Sequence, residues 1–269
     1  MKSVVITGST RGIGSGLAEN FLERGCQVVI SARGQDAVDK VVAELAARFG
    51  KDKVVGKACD ITDAEALQTL WRAAAESFGR VDIWINNAGM SIRRLPLDKQ
   101  TPADLQAIVN TNFIGLLLAN KVALQGMYQQ GSGQIWNMEG FGSTGQTAPG
   151  MAAYGATKRA LNYLNKSLQK EVKGTPVQVC TLSPGIVVTE LLIGDYDLTS
   201  PEWKKTKKIF NILGDTVDTV APFLVDGILK TDKSGSKVAW LTMGKAFGRF
   251  LTAGFNKRDL FADIEATQQ

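Results

Sequence analysis

Apolar and polar positions along this chain fall into two alternating kinds of block. Short β-branched or apolar runs occur at 3–7, 27–32, 53–58, 81–86, 133–138, 176–183 and 237–241. Longer stretches with apolar residues at helical spacing lie between most of them, among them 14–24, 36–49, 63–78 and 151–172. Strands that are apolar throughout, separated by helices, predict a parallel sheet covered on both faces. Seven such runs predict an α/β protein: a doubly wound Rossmann fold with a seven-stranded parallel sheet flanked by helices. Ligands of such a sheet bind beyond the carboxyl ends of its strands. After the sixth run the alternation is interrupted, and this long mixed stretch predicts a substrate lid at about 186–213. With no solenoid-period repeat and no low-complexity tract, one domain over 1–269 is expected, ending in a substrate or oligomer segment at about 243–269.

Composition narrows the function. The 269 residues, 44% hydrophobic and 21% charged, suffice for one soluble globular core. A net charge of +5 is compatible with anionic ligands or an anionic surface and names neither. The cluster Trp203-Lys204-Lys205-Thr206-Lys207-Lys208 reads as a solvated helix face, with a membrane-surface contact as the second reading. Cys26, Cys59 and Cys180 form no CxxC pair, which points to free thiols in a reducing compartment. There is no histidine. That excludes Ser-His-Asp chemistry, histidine metal sites and histidine pH switching. No metal and no nucleic-acid partner are expected. Lys2-Ser3 runs directly into Val4-Val5-Ile6, so no signal peptide is expected, and no apolar run approaches the roughly 18–20 residues that span a bilayer.

The first run ends in Thr7-Gly8-Ser9-Thr10-Arg11-Gly12-Ile13-Gly14. Glycines here permit a tight turn and close approach of a pyrophosphate to the next helix N-terminus. The second run ends in Ile30-Ser31-Ala32-Arg33, with no acidic residue to hold a ribose 2′-hydroxyl. A carboxylate there would repel a 2′-phosphate, whereas a guanidinium pairs with it. Arg33, with Arg11 reaching from the turn, therefore predicts NADPH. Asp60, beside Ile61, has two readings: an acceptor for the adenine amino group, or a cap on the following helix. Asn87, Ala88 and Gly89 close the fourth run, where small residues admit the adenosine ribose.

Tyr154 and Lys158 stand four residues apart in a helical stretch, hence on one face. An adjacent ammonium favours phenolate, so the tyrosine is expected to fall from its reference value of about 10 toward working pH. Such a phenol can protonate a carbonyl oxygen or deprotonate an alcohol.

Taken together, TGSTRGIG, NNAG, Asn112 in Asn112-Phe113-Ile114-Gly115, Tyr154/Lys158 and Ser183-Pro184-Gly185 resemble the short-chain dehydrogenases/reductases over about residues 3 to 189. The resemblance implies a homo-oligomeric, dimeric or tetrameric, NAD(P)-dependent oxidoreductase. Tyr154 would be its acid/base, Lys158 would hold the nicotinamide ribose, and Asn112 would anchor a relay water. Pro184, Gly185, Ile186, Val187 and Thr189 would line the nicotinamide end. One departure stands out. The family's serine precedes the tyrosine by thirteen residues, a place taken here by Phe141, and Ser143 is the nearest hydroxyl. Ser143 is expected to supply it, with Thr144 or no serine as alternatives. Glu139 is an unexpected acid, either structural or acting on substrate.

The loop Asn137-Met138-Glu139-Gly140-Phe141-Gly142-Ser143 and the stretch 182–192 resemble the chlorophyll(ide) b reductase branch. That implies NADPH-dependent reduction of the C7 formyl of chlorophyll b or chlorophyllide b, with a formyl tetrapyrrole as substrate. It also implies a plastid protein or a compact bacterial cytoplasmic one. The other readings are a generic carbonyl or 3-oxoacyl reductase and a non-catalytic NADPH-binding sensor or scaffold.

Overall fold

A computed structural model of the chain describes residues 1–194, 196, 198–255 and 258–262. Of the expected C-terminal segment, 256–257 and 263–269 lie outside the described residues, as do 195 and 197 of the expected lid.

The sheet forms where the short apolar runs were. Its strands are β1 (Ser3–Thr7), β2 (Gln27–Ser31), β3 (Val54–Gly56), β4 (Ile83–Asn86), β5 (Gly133–Met138), β6 (Val177–Ser183) and β7 (Lys237–Ala239). All pairings are parallel, in the order β3-β2-β1-β4-β5-β6-β7. The helices are α1 (Gly12–Glu23), α2 (Gln35–Phe49), α3 (Ala64–Phe78), α4 (Pro102–Val109), α5 (Leu116–Gln130), α6 (Ala152–Glu171), α7 (Glu190–Ile193), α8 (Pro201–Leu213), α9 (Val217–Lys230) and α10 (Met243–Thr252). A π-helical turn, Asn110–Gly115, joins α4 to α5.

Side chains alternate across each strand, so β1 serves two cores. Val4 and Ile6 join Leu17 and Phe21 of α1 and Leu224 of α9 on one face. Val5 joins Leu67 and Leu70 of α3 and Ala123 of α5 on the other. That two-sided burial is why β1 reads as unbroken apolar sequence. A smaller cluster of Trp203, Phe210 and Phe261 packs α8 against the segment that follows β6.

The expectation that no run reaches bilayer length is corrected here. Pro102–Gln130 is one helix of 29 residues, long and apolar enough to cross a membrane. In this fold it is a core helix, burying Ile108, Leu116, Ala119, Val122, Ala123 and Met127.

The chain builds β2 and β3 on one side of β1, then crosses to start β4 on the other. The ends of β1 and β4 therefore bracket a crevice at the topological switch point.

Candidate active site

Side-chain hydrogen bonds stitch the two sides of that crevice together. Thr7 Oγ1 accepts from the amides of Asn87 and Ala88, both at 3.1 Å. Asn87 Nδ2 donates to Thr7 O and Gly8 O, each at 2.9 Å. Gly8 adopts φ +64°, and a Cβ there would stand 2.9 Å from Ala88 Cα, so only glycine fits. The buried Ser9 hydroxyl donates to Ile6 O at 2.7 Å and accepts from Ser31 N at 2.8 Å, tying β1 to β2. Thr10 and Ile13 flank this turn in the sequence. Helix α1 then begins with no side chain capping it, leaving its amide end free for an anion. Across the turn, Thr189 Cγ2 lies 3.5 Å from where a Cβ on Gly12 would stand. Thr189 follows the loop through Pro184, Gly185, Ile186 and the buried Val187, so β6 and the turn converge on one cleft. These features fit a dinucleotide: a glycine cradle, an open helix N-terminus and a facing threonine.

The two arginines differ. Arg33 is exposed at the tip of β2 and makes no hydrogen bond or ion pair among the described residues. Arg11 is paired instead with Glu190 at the start of α7, 2.5 Å apart, both side chains about three-quarters exposed. Asp60 does not cap α3. Its Oδ1 accepts from Thr62 N and Thr62 Oγ1, while Asp63 caps the helix through the amides of Glu65 and Ala66. Ile61 is buried against Gly115.

Tyr154 and Lys158 lie on α6 as their spacing requires, with the ammonium 5.8 Å from the ring centroid. Lys158 is buried and its Nζ donates to Met138 O at 3.3 Å. Burial pushes the amine down to about 8, with the Glu139 carboxylate partly offsetting it. The expected acidification of Tyr154 is not found. Its surroundings push the phenol up to about 12, and the opposing charge is Arg94, not Lys158. Desolvation of the buried phenol outweighs that opposing charge.

Asn112 occupies the π-helical turn, a distortion frequent at functional sites. Its Oδ1 accepts from Met90 N and its Nδ2 donates to Met90 O, both at 2.8 Å. Both ends of the amide are thus clamped to the loop after Gly89. Beneath the site runs a buried amide network that the sequence did not reveal. Asn86 donates to Asn137, Asn137 to Asn165, and Asn165 to Thr181, joining β4, β5, α6 and β6.

Ser143 is buried, but the expected hydrogen bond to the Tyr154 hydroxyl is not formed. Its Oγ accepts from Gly140 N at 3.1 Å and donates to Gly140 O at 2.8 Å, closing a tight turn. The backbone of Gly140 is what approaches the phenol: a Cβ there would stand 2.5 Å from Tyr154 Oη. Phe141 points outward, 40% exposed. Glu139 is turned into the protein. It pairs with Lys237 Nζ at 2.6 Å and accepts from Asn162 at 3.4 Å, which supports its structural reading.

Sequence reasoning missed Arg94. It stacks on Tyr196, with the guanidinium carbon 4.1 Å from the ring centroid, and hydrogen-bonds to the Tyr196 hydroxyl. Its Nε is buried without a partner. A Cβ on Gly150, just before α6, would meet the Arg94 backbone at 2.9 Å. The residue thereby joins the loop after β4, the approach to α6 and the segment between α7 and α8. Only its place in three-dimensional space marks it, since nothing in its local sequence does. Beside it, an open cavity of about 320 Å³ is lined by Val188, Thr189, Ile193, Tyr196 and Leu198.

Among the described residues, no group of three His, Cys, Asp or Glu side chains could hold a metal. All three cysteines are buried free thiols.

Comparison with known proteins agrees with this geometry. The family model for short chain dehydrogenases matches residues 2–196. A probable chloroplastic chlorophyll(ide) b reductase of Arabidopsis thaliana is 37% identical, over 97% of this chain and 55% of its own length. A second chloroplastic chlorophyll(ide) b reductase of that plant is 38% identical, over 93% of this chain and 70% of its own. The chain thus spans about half the length of the first of these relatives. Among solved structures, a 3-ketoacyl-(acyl-carrier-protein) reductase of Brucella melitensis complexed with NADH is 26% identical, with TM-score 0.75 over 88% of this chain and 96% of that one.

Proposed function

Because the chain belongs to the short-chain dehydrogenase family, and is thereby an oxidoreductase using a nicotinamide cofactor, we propose that it reduces the C7 formyl group of chlorophyll b or chlorophyllide b to hydroxymethyl with NADPH. One observation carries the substrate. The likeness to the chlorophyll(ide) b reductases continues past residue 196, where the family-wide match stops, into the lid and C-terminal region that vary with substrate. The plant relatives' chloroplast location supports the plastid setting.

The choice of NADPH rests on Arg33, a free guanidinium at the β2 tip where an acid would mark NAD. When bound, the dinucleotide supplies the hydride. The chain's own residues do the rest. The glycine turn and α1 N-terminus hold the pyrophosphate, and Lys158 holds the nicotinamide ribose. Tyr154, protonated at neutral pH, gives its proton to the developing alkoxide. The Arg94 charge keeps that phenol more acidic than burial alone would leave it. Asn112 and Ser143 are positioning residues, the first holding the loop at Met90, the second setting Gly140 against the phenol.

Turnover of chlorophyllide b with NADPH, followed by absorbance and product mass, tests this reading. Conversion of formyl to hydroxymethyl is expected, with little activity on acetoacetyl esters. Efficient acetoacetyl reduction without chlorin turnover would assign the chain to the generic carbonyl reductases instead.

A further inference from the structure

Helix α10 is amphipathic in the inverted sense. At 100° per residue Lys245 and Arg249 share one stripe, and Met243, Phe247, Phe250 and Leu251 share the opposite one. The charged stripe faces the protein. Lys245 Nζ stands 2.9 Å from the Trp240 ring centroid. Arg249 donates to Leu213 O at 2.9 Å and pairs with the buried Asp215 at 2.7 Å. The apolar stripe faces out: Met243 is 88% exposed, Phe247 66%, Phe250 51% and Leu251 66%, and Phe255 just beyond is 95% exposed. No residue of α10 is buried. Ion pairing thus holds the helix with its apolar side outward, and a contiguous exposed apolar patch marks a contact surface.

The neighbouring charge selects the partner. α10 packs on α8, whose exposed residues include Lys204, Lys205 and Lys208, with Glu202 as its one acid. A ridge of aromatic and aliphatic side chains beside a lysine stripe complements a surface that is apolar within and anionic at its rim. We propose that α10 is a lipid-docking element. It lies on an anionic bilayer surface with Met243, Phe247, Phe250, Leu251 and Phe255 at the acyl boundary, and Lys204, Lys205 and Lys208 against the headgroups. This does not depend on the chlorin reading. It adds to that reading a route by which a membrane-dissolved substrate would reach the lid, of which α8 is part.

The test is co-sedimentation of the full chain with vesicles of phosphatidylcholine and phosphatidylglycerol in equal parts, against pure phosphatidylcholine. Binding to the anionic vesicles is expected, weakening at high salt. Phe247→Glu with Leu251→Glu should abolish it while leaving NADPH affinity unchanged, which shows that the variant is folded. Lys204→Gln, Lys205→Gln and Lys208→Gln should each weaken it on the order of fivefold. Vesicle binding that survives Phe247→Glu/Leu251→Glu would overturn the proposal. So would a concentration-dependent dimer dissolved by those substitutions with no vesicle binding, which would give this face to a second copy. Equal binding to both vesicle types would overturn the headgroup assignment.

Discussion

The Arg94 guanidinium lies over the Tyr196 ring, 4.1 Å from its centroid, and hydrogen-bonds to its hydroxyl. Through this pair the loop after β4 is latched to the segment between α7 and α8, and the same charge opposes the burial that raises Tyr154. Arg94→Met should therefore reduce kcat by roughly tenfold, as expected when a general acid weakens. In the alcohol-oxidising direction, the rise of activity with pH should move to higher pH. Arg94→Lys should restore much of that profile. An Arg94→Met enzyme with a lower rate but an unmoved profile would show that the residue acts only as a latch.

Lys158 predicts a pH dependence of stability. Its folded value of about 8 lies below the ordinary 10.5, so between those values the unfolded chain holds a proton that the folded chain lacks. Stability of the cofactor-free protein should then rise with pH across this window, on the order of 3 kcal/mol for this group. Tyr154, raised from 10.0 to about 12, acts in the opposite sense only above pH 10. Urea unfolding of the protein and of Lys158→Met over the window checks this. The rise should be lost in the variant.

Gly140→Ala places a methyl 2.5 Å from Tyr154 Oη and 3.1 Å from Lys158 Cε. The phenol must shift, and turnover should fall by about two decades while NADPH still binds. Ser143→Ala removes two hydrogen bonds to Gly140 and should lower stability by about 1–2 kcal/mol. Its kcat should fall less than that of Gly140→Ala. A larger loss for Ser143→Ala, with stability intact, would return Ser143 to direct contact with substrate.

For the cofactor, Arg33→Ala should weaken NADPH by about 1.5–3 kcal/mol and leave NADH unchanged. Arg11→Ala should do less, because that guanidinium is engaged with Glu190. Titration of all three proteins with both cofactors measures the difference. Equal losses for NADPH and NADH in Arg33→Ala would mean that it does not read the 2′-phosphate.

Lys237→Met would leave the buried Glu139 carboxylate without its cation. A loss of about 1–3 kcal/mol in denaturant unfolding is expected, with Glu139→Gln losing less because it removes the charge itself.

Features set by short-range spacing were legible in the chain alone. Alternation of apolar runs and helical stripes specified the seven strands, since a strand buried on both faces must be apolar throughout. Glycines at 8, 12 and 14 marked a turn that only small residues can make, and Tyr154 and Lys158 shared a face because four residues make about one helical turn. Tertiary structure decided what depends on distant neighbours. Ser143 had the right chemistry, but its hydroxyl is spent on Gly140. The pairing of Glu139 with Lys237 exists only because β6 places β5 and β7 on either side of it. The pKa of Tyr154 moved opposite to the direction read from Lys158, because burial is a property of the whole fold and a local motif carries only the nearest charge. For the 243–269 segment the sequence offered only a substrate or oligomer role, and which stripe of α10 faces inward was settled by Asp215 and Trp240, which hold its two cations.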